Sequence, residues 1–134
     1  MLDFLIKGAR VIDGNLTDSY IGDIGIEKDR IIEVAAILFE NGGPAKRFVS
    51  LVKPILPIPK LIEDITGITN EMVEHAPSEK DIVDGLFDFI GKNPIVAHNT
   101  PFDLSFLISL SDRYKIDFEK PVCYDTLTLS RTFL

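Results

Sequence analysis

The stretch Ile31-Ile32-Glu33-Val34-Ala35-Ala36-Ile37-Leu38-Phe39, followed by Asn41-Gly42-Gly43-Pro44 and then Arg47-Phe48-Val49-Ser50-Leu51-Val52, decides the fold. The first run is apolar except for Glu33, which suits a strand buried on both faces. Asn-Gly-Gly-Pro is turn chemistry, and the second apolar run returns as an antiparallel hairpin partner.

Downstream the period changes from two to that of a helix. Leu61, Ile62 and Ile65 predict a short helix that Gly67 ends as a left-handed cap. Thr69-Asn70-Glu71-Met72 opens a second brief helical turn, stopped before Ala76-Pro77. Ser78 and Asp81 resemble a capping box, and Ile82, Val83, Leu86, Phe87 and Ile90 recur at helical spacing until Gly91. Pro94-Ile95-Val96-Ala97-His98 predicts a short central strand, placed in the same sheet as the hairpin. A helix follows from Thr100-Pro101, with Thr100 as N-cap and proline in the first helical position. A polar stretch, Ser111 to Lys120, precedes a candidate strand at Val122-Cys123-Tyr124 and a last helix from Thr126 to Phe133.

Upstream, Phe4-Leu5-Ile6 and Ala9-Arg10-Val11-Ile12 flank Lys7-Gly8, and Asp13-Gly14-Asn15 is a turn signal. Asp23-Ile24-Gly25-Ile26-Glu27 alternates like a further strand. Phe4–Ile12 is expected beside Ile31–Phe39. The order, β-rich and then mixed, gives an α/β class: a mixed β-sheet with an antiparallel meander flanked by helices.

The chain has 134 residues, 46% hydrophobic and 26% charged, which fits a single domain, 1–134, with a real core. No apolar run reaches the ~20 residues of a membrane span. The first residues carry no secretory pattern, and the one cysteine, Cys123, allows no internal disulfide, so a cytoplasmic protein is expected. A net charge of −7 counts against a stand-alone nucleic-acid clamp, which relies on phosphate contacts by cations. It counts less against a nuclease whose metal ions bring positive charge to carboxylates.

From about residue 31 onward, five segments resemble DEDDh-type 3′–5′ exonucleases, the proofreading and ribonuclease T type. They are Arg30-Ile31-Ile32-Glu33-Val34-Ala35-Ala36, Phe48-Val49-Ser50-Leu51-Val52-Lys53-Pro54, Ile65-Thr66-Gly67-Ile68-Thr69, Val96-Ala97-His98-Asn99-Thr100-Pro101-Phe102-Asp103, and Tyr124-Asp125-Thr126-Leu127-Thr128-Leu129-Ser130-Arg131. Five modest motifs in the family's order are jointly specific. The resemblance implies a ribonuclease H-like fold, here incomplete, over residues 31–134. It also implies four carboxylates holding two divalent metals, Mg²⁺ or Mn²⁺, with a histidine as general base, acting on a single-stranded nucleic-acid 3′ end.

Only part of that machinery carries over. Asp103 matches the second-motif carboxylate; an acid in the first turn also stabilises a helix start, and both readings stand. Asp13 is the candidate for the first motif, D-x-E, and with Asp103 completes the catalytic and metal-ligand set to be tested. Asn15, however, stands where the glutamate belongs, and choosing Asp18 instead places Tyr20 there. His98, Asn99 and Phe102 fall near the site by resemblance and are the substrate-binding candidates. A histidine at a strand end is more often structural, and His98 is not the missing base. Asp125 reads as a cap for the last helix. The third motif, with its His and Asp, is expected after Leu134.

Residues 1–34, from Met1-Leu2-Asp3-Phe4-Leu5-Ile6-Lys7-Gly8-Ala9-Arg10-Val11-Ile12-Asp13-Gly14 through Asp29-Arg30-Ile31, resemble the amino-terminal β segment of amidohydrolases; that family's H-x-H is absent. The expectation is a truncated exonuclease-like domain, inactive alone. The alternatives are a non-catalytic interaction or scaffold module, an enzyme completed in trans, and a chimera of exonuclease and amidohydrolase segments. Loss of later helices would leave an apolar face open to self-association.

Overall fold

The computed structural model describes residues 4–11 and 20–26 as backbone and residues 31–133 in full. Eleven elements follow one another among these residues. They are β1 (Phe4–Val11), β2 (Tyr20–Ile26), β3 (Glu33–Glu40), β4 (Gly43–Leu51), α1 (Lys60–Thr66), α2 (Asn70–Val73), α3 (Glu79–Ile90), β5 (Ile95–Ala97), α4 (Thr100–Tyr114), β6 (Cys123–Asp125) and α5 (Thr126–Phe133). The α/β class is as expected. The strands form three two-stranded ladders among the described residues: β1 with β2, β3 with β4, and β5 with β6.

Two expectations about neighbours are corrected. Ile95–Ala97 pairs in parallel with Cys123–Asp125, not with the hairpin. Among the described residues Phe4–Val11 pairs antiparallel with Tyr20–Ile26, and no ladder joins it to Ile31–Phe39. The reason is local in the second case, because a nearby strand closes a shorter loop. The register shifts between Ile6 and Ala9, where Lys7 and Gly8 oppose Asp23 alone, so the Lys7-Gly8 signal is a bulge inside one strand.

The β3–β4 hairpin turns on Asn41 and Gly42, both left-handed at φ 53° and 80°. That is the backbone a two-residue type I′ turn demands, and it starts β4 at Gly43, four residues ahead of the predicted Arg47. The hairpin strand is not buried on both faces. Along β3 exposed and half-buried residues alternate, with Ile37 53% and Phe39 64% exposed. A run of apolar residues alone does not say whether both faces are covered.

The chain divides into two compact units, 1–34 with 49–78 and 35–48 with 79–134. In the first, Ile58, Ile68 and Val73 form a buried cluster with Ile32, Leu51, Ile62 and Ala76 packed around it. Val52 is fully buried and its N–H donates to the Ile32 carbonyl at 2.8 Å. Gly67 closes α1 in the left-handed conformation as predicted, its N–H on the Glu63 carbonyl. Thr69 caps α2 by accepting from the Met72 N–H. Asn70 ties these pieces together: Oδ1 accepts from the Ile58 N–H at 2.7 Å, while Nδ2 donates to the Ile58 carbonyl at 2.9 Å and to Glu63 Oε1 at 2.9 Å.

In the second unit, α3 buries Ile82, Val83 and Leu86, the predicted apolar stripe, and Gly91 ends it at φ 55°. Phe48 packs against Phe89 with ring centroids 5.8 Å apart. Helix α4 runs on to Tyr114, four residues into the polar stretch. Leu110 and Ser111 are buried there, and Arg113 Nη1 reaches Glu79 Oε2 at 2.7 Å, with Tyr114 Oη at 3.3 Å from the same oxygen.

Candidate functional site

Strands β5 and β6 run parallel, so the helices that follow them start side by side. Parallel strands deliver their carboxyl ends to one edge, the usual place for a site in α/β folds. At this edge β5 hands over to α4 through His98 and Asn99, and β6 hands over to α5 directly.

Each hand-over is fixed by side chains of the other. Asp125 ends β6 and caps α5: Oδ1 accepts from the Leu127 N–H at 3.1 Å, and Oδ2 accepts from Thr128 Oγ1 at 2.9 Å. The same Oδ1 accepts from the Asn99 N–H at 2.8 Å, so one carboxylate holds both junctions. Thr100 is 2% exposed; its hydroxyl lies 2.9 Å from the Tyr124 carbonyl and 3.1 Å from that of Ala97. Thr126 Oγ1 lies 3.3 Å from the Ala97 carbonyl and 3.2 Å from His98 Nδ1.

Asn99, not Thr100, is the N-cap of α4. It sits in the left-handed region at φ 69° and its side chain makes no cap bond. Asparagine tolerates this conformation better than most residues. Proline therefore occupies the second helical position, and Asp103 lies one place deeper than predicted. Asp103 remains in the first turn and exposed. Desolvation pushes its carboxyl above the usual value, opposed in part by its own backbone N–H. Asp125 moves the other way. Partial desolvation pushes it up, but hydrogen bonds from the Asn99 N–H, the Thr128 hydroxyl and the Leu127 and Thr100 N–H groups outweigh it and hold the carboxyl below the usual range.

At this edge Asn99 is bonded to Asp125 and His98 to Thr126, and Asp103 lies in the first turn of the helix that starts there. His98 is exposed, with its Nδ1 committed to Thr126. Phe102 is 39% exposed and packs edge-on against Phe106, centroids 5.1 Å apart. Asp13 lies outside the described residues, as do Asn15 and Asp18. Sequence reasoning missed Thr100 and Thr126 as organisers; two threonines at matching strand-to-helix junctions were the available signal.

A divalent metal of the kind the family uses needs several oxygen ligands. Among the described residues no three His, Cys, Asp or Glu side chains converge to hold one. The donor set is Asp103, because Asp125 is occupied by backbone and threonine donors. The described residues alone do not fit a two-metal centre. Among them, no helix is long and apolar enough to cross a membrane.

Residues 17–133 match the RNase_T family model, described as Exonuclease. The matched span takes in Asp18 and leaves Asp13 before it, and it begins ahead of residue 31. The 3′–5′ exonuclease DinG of Bacillus subtilis is 38% identical over 105 residues, covering 77% of this chain and 11% of that protein. A PolC-type DNA polymerase III of Oceanobacillus iheyensis is 39% identical over 109 residues, 79% of this chain and 7% of the polymerase. The chain thus spans about a tenth of the length of these relatives. Exonuclease X, solved with 5′ overhanging duplex DNA, aligns with a TM-score of 0.57 and 28% identity over 76% of this chain and 54% of its own. With the second exonuclease motif standing at the shared edge of two parallel strands, the chain belongs to the RNase_T exonuclease family.

Proposed function

We propose that this chain engages the single-stranded 3′ end of a nucleic acid through the β5–α4 edge and does not hydrolyse it unaided. The observation that carries this reading is the split between the two carboxylates at that edge. Asp103 is exposed and kept at some electrostatic disadvantage, as functional acids often are, whereas Asp125 is consumed in holding the junctions. Asn99 and Phe102 flank Asp103 and supply polar and aromatic contacts suited to a terminal nucleotide.

Hydrolysis in this family calls for several carboxylates and a general base. Neither Asp13 nor Asp18 is followed two residues on by a glutamate, since Asn15 and Tyr20 stand there. Each missing contribution is worth on the order of 10²-fold or more in rate. A 3′-labelled single-stranded oligonucleotide should bind the chain and remain intact in Mg²⁺ or Mn²⁺. Robust 3′–5′ degradation that disappears in Asp103→Ala would overturn the inactive half of the reading; absence of binding would overturn the other half. A cytoplasmic setting fits this substrate and the single cysteine.

A second reading, self-association, is supported by one feature of the same unit. Val96 and Tyr124 are register partners across β5–β6, and both are exposed, at 64% and 53%. Parallel ladders ordinarily have both faces covered. Sedimentation of the chain over a range of concentrations tests it, and a monomer throughout would end it.

A further inference from the structure

The tip of the β3–β4 hairpin holds an asparagine that its own backbone can attack. In an Asn-Gly pair the glycine nitrogen can close a five-membered ring on the asparagine Cγ, and glycine has no side chain to obstruct it. Closure needs the Gly42 nitrogen to eclipse Cβ of Asn41. For an L-residue that fixes ψ at about −120°, the value of the first central residue in a type II′ turn. Asn41 and Gly42 stand at φ 53° and 80°, a type I′ pair. A type II′ turn also asks for a φ of about 60° at its first central residue, so Asn41 already has it. Flipping the peptide between Asn41 and Gly42 therefore converts I′ into II′, swings ψ of Asn41 to the closing value, and keeps a two-residue loop that hairpins accept. The flip takes Gly42 to negative φ, which glycine adopts as readily as positive φ. It has room, because a Cβ built on Gly42 would meet no atom within 4 Å and both residues are exposed. The other asparagines among the described residues each lack a condition. Both side-chain groups of Asn70 are engaged by Ile58 and Glu63. Asn93 precedes Pro94, which has no N–H to lose. Asn99 shares the left-handed backbone at φ 69°, but the N–H of the following Thr100 is held by Asp125.

We propose that Asn41 is a self-modifying site, deamidated by the Gly42 nitrogen from within the closed hairpin. The bond from the Gly42 nitrogen to Asn41 Cγ forms as the Cγ–Nδ2 bond breaks. Nδ2 leaves as ammonia and takes the proton that the Gly42 nitrogen gives up. Water then opens the succinimide at either carbonyl, leaving aspartate or isoaspartate; nothing is oxidised or reduced, and water is the co-reactant. Either product sets a new negative charge beside Glu40. Isoaspartate also routes the main chain through the side-chain carbon, which lengthens the two-residue turn by a methylene and bars its return to type I′. The chemistry needs no nucleic acid and stands apart from the proposed function.

The test incubates the full chain at mildly alkaline pH, folded and in urea, and follows Asn41 by peptide mapping that separates aspartate from isoaspartate. The folded chain is expected to convert Asn41 ahead of Asn70, Asn93 and Asn99, giving both products. Asn41→Gln, which would need a larger ring, should stay intact. Hydrogen exchange of the bonded β3 and β4 amides in the same buffer measures how rarely the hairpin opens. A reaction inside the closed hairpin is slowed by folding at least about 10-fold less than those amides are protected, a saving of about 1.4 kcal/mol in the barrier. Slowing within that factor of the protection means that the ring closes only in the opened hairpin, and overturns the proposal. Aspartate as the sole product overturns it too, because direct hydrolysis of the amide gives that. So do hairpin amides without protection, since no closed hairpin would then exist to react from.

Discussion

Replacing Asn70 by alanine tests whether the first unit is held by polar bridging as much as by its apolar cluster. Asn70 behaves like a short piece of neighbouring strand, accepting from the Ile58 N–H and donating to the Ile58 carbonyl. Ile58 is itself buried, so alanine leaves two backbone groups without partners at a place water reaches poorly. At about 1 kcal/mol for each net bond, the loss is roughly 2 kcal/mol. The third bond, to Glu63 on α1, adds little. That figure corresponds to about 30-fold in an opening equilibrium.

The assay is amide hydrogen exchange, because the division into two units makes one global melting temperature a blunt instrument. Exchange at Ile58 and Ile68 should accelerate about 30-fold in Asn70→Ala. Asn70→Asp separates geometry from packing. Aspartate keeps an acceptor for the Ile58 N–H, but its ionised form cannot donate to the Ile58 carbonyl and it sets a second negative charge beside Glu63 Oε1. At neutral pH it should be at least as damaging as alanine and should recover in acid, where the protonated group can donate. Wild-type exchange in Asn70→Ala, or full protection in Asn70→Asp at neutral pH, would refute the bridge.

Asp125→Ala should destabilise the chain at neutral pH. The folded carboxyl is held below the ordinary aspartate value, so its contribution is present above that value and is lost as pH falls through the folded one; denaturation curves of mutant and wild type should converge in strong acid. Asp103→Asn should be no less stable than wild type at neutral pH, because a carboxyl raised by desolvation favours the protonated form and its effect on stability worsens as pH rises. A clear loss of stability at pH 7 in urea titrations would contradict this. Arg113→Met should lower stability by roughly 2–3 kcal/mol, somewhat below the ~3–5 of a fully buried pair, because Arg113 is itself partly exposed. Pairing it with Glu79→Leu should recover most of the loss, and calorimetry of the two variants decides.

What the sequence disclosed follows the range of the interaction. Helix stops at Gly67 and Gly91, the span of α5 and the capping role of Asp125 were legible because each depends on residues a few positions apart. The hairpin was legible through Asn41-Gly42, although β4 started earlier than its apolar residues suggested, since Gly43 to Arg47 are set by the turn and not by hydrophobicity. The β5–β6 pairing was not legible, because Ile95 and Cys123 lie far apart in sequence and short strands carry little register information. Thr100 shows the same limit at the site. As a residue before proline it read as a cap, and only its distances to the Ala97 and Tyr124 carbonyls reveal a buried brace.

The two aspartates at the strand edge carry the functional argument further than either motif does alone. Both sit beside helix starts, where a negative charge is favoured, so position by itself predicts similar behaviour. Their carboxyls move in opposite directions instead. Asp125 gains four donors and becomes part of the scaffold, and its removal should be felt as lost stability. Asp103 gains little besides its own N–H, and desolvation holds its carboxyl above the usual value. The proposed function gives that charge its use in the strand end that the chain is proposed to bind. If Asp103→Asn leaves stability intact and weakens binding of a single-stranded 3′ end, the division of labour holds. If Asp125→Ala weakens binding without any loss of stability, the roles assigned to the two carboxylates are reversed.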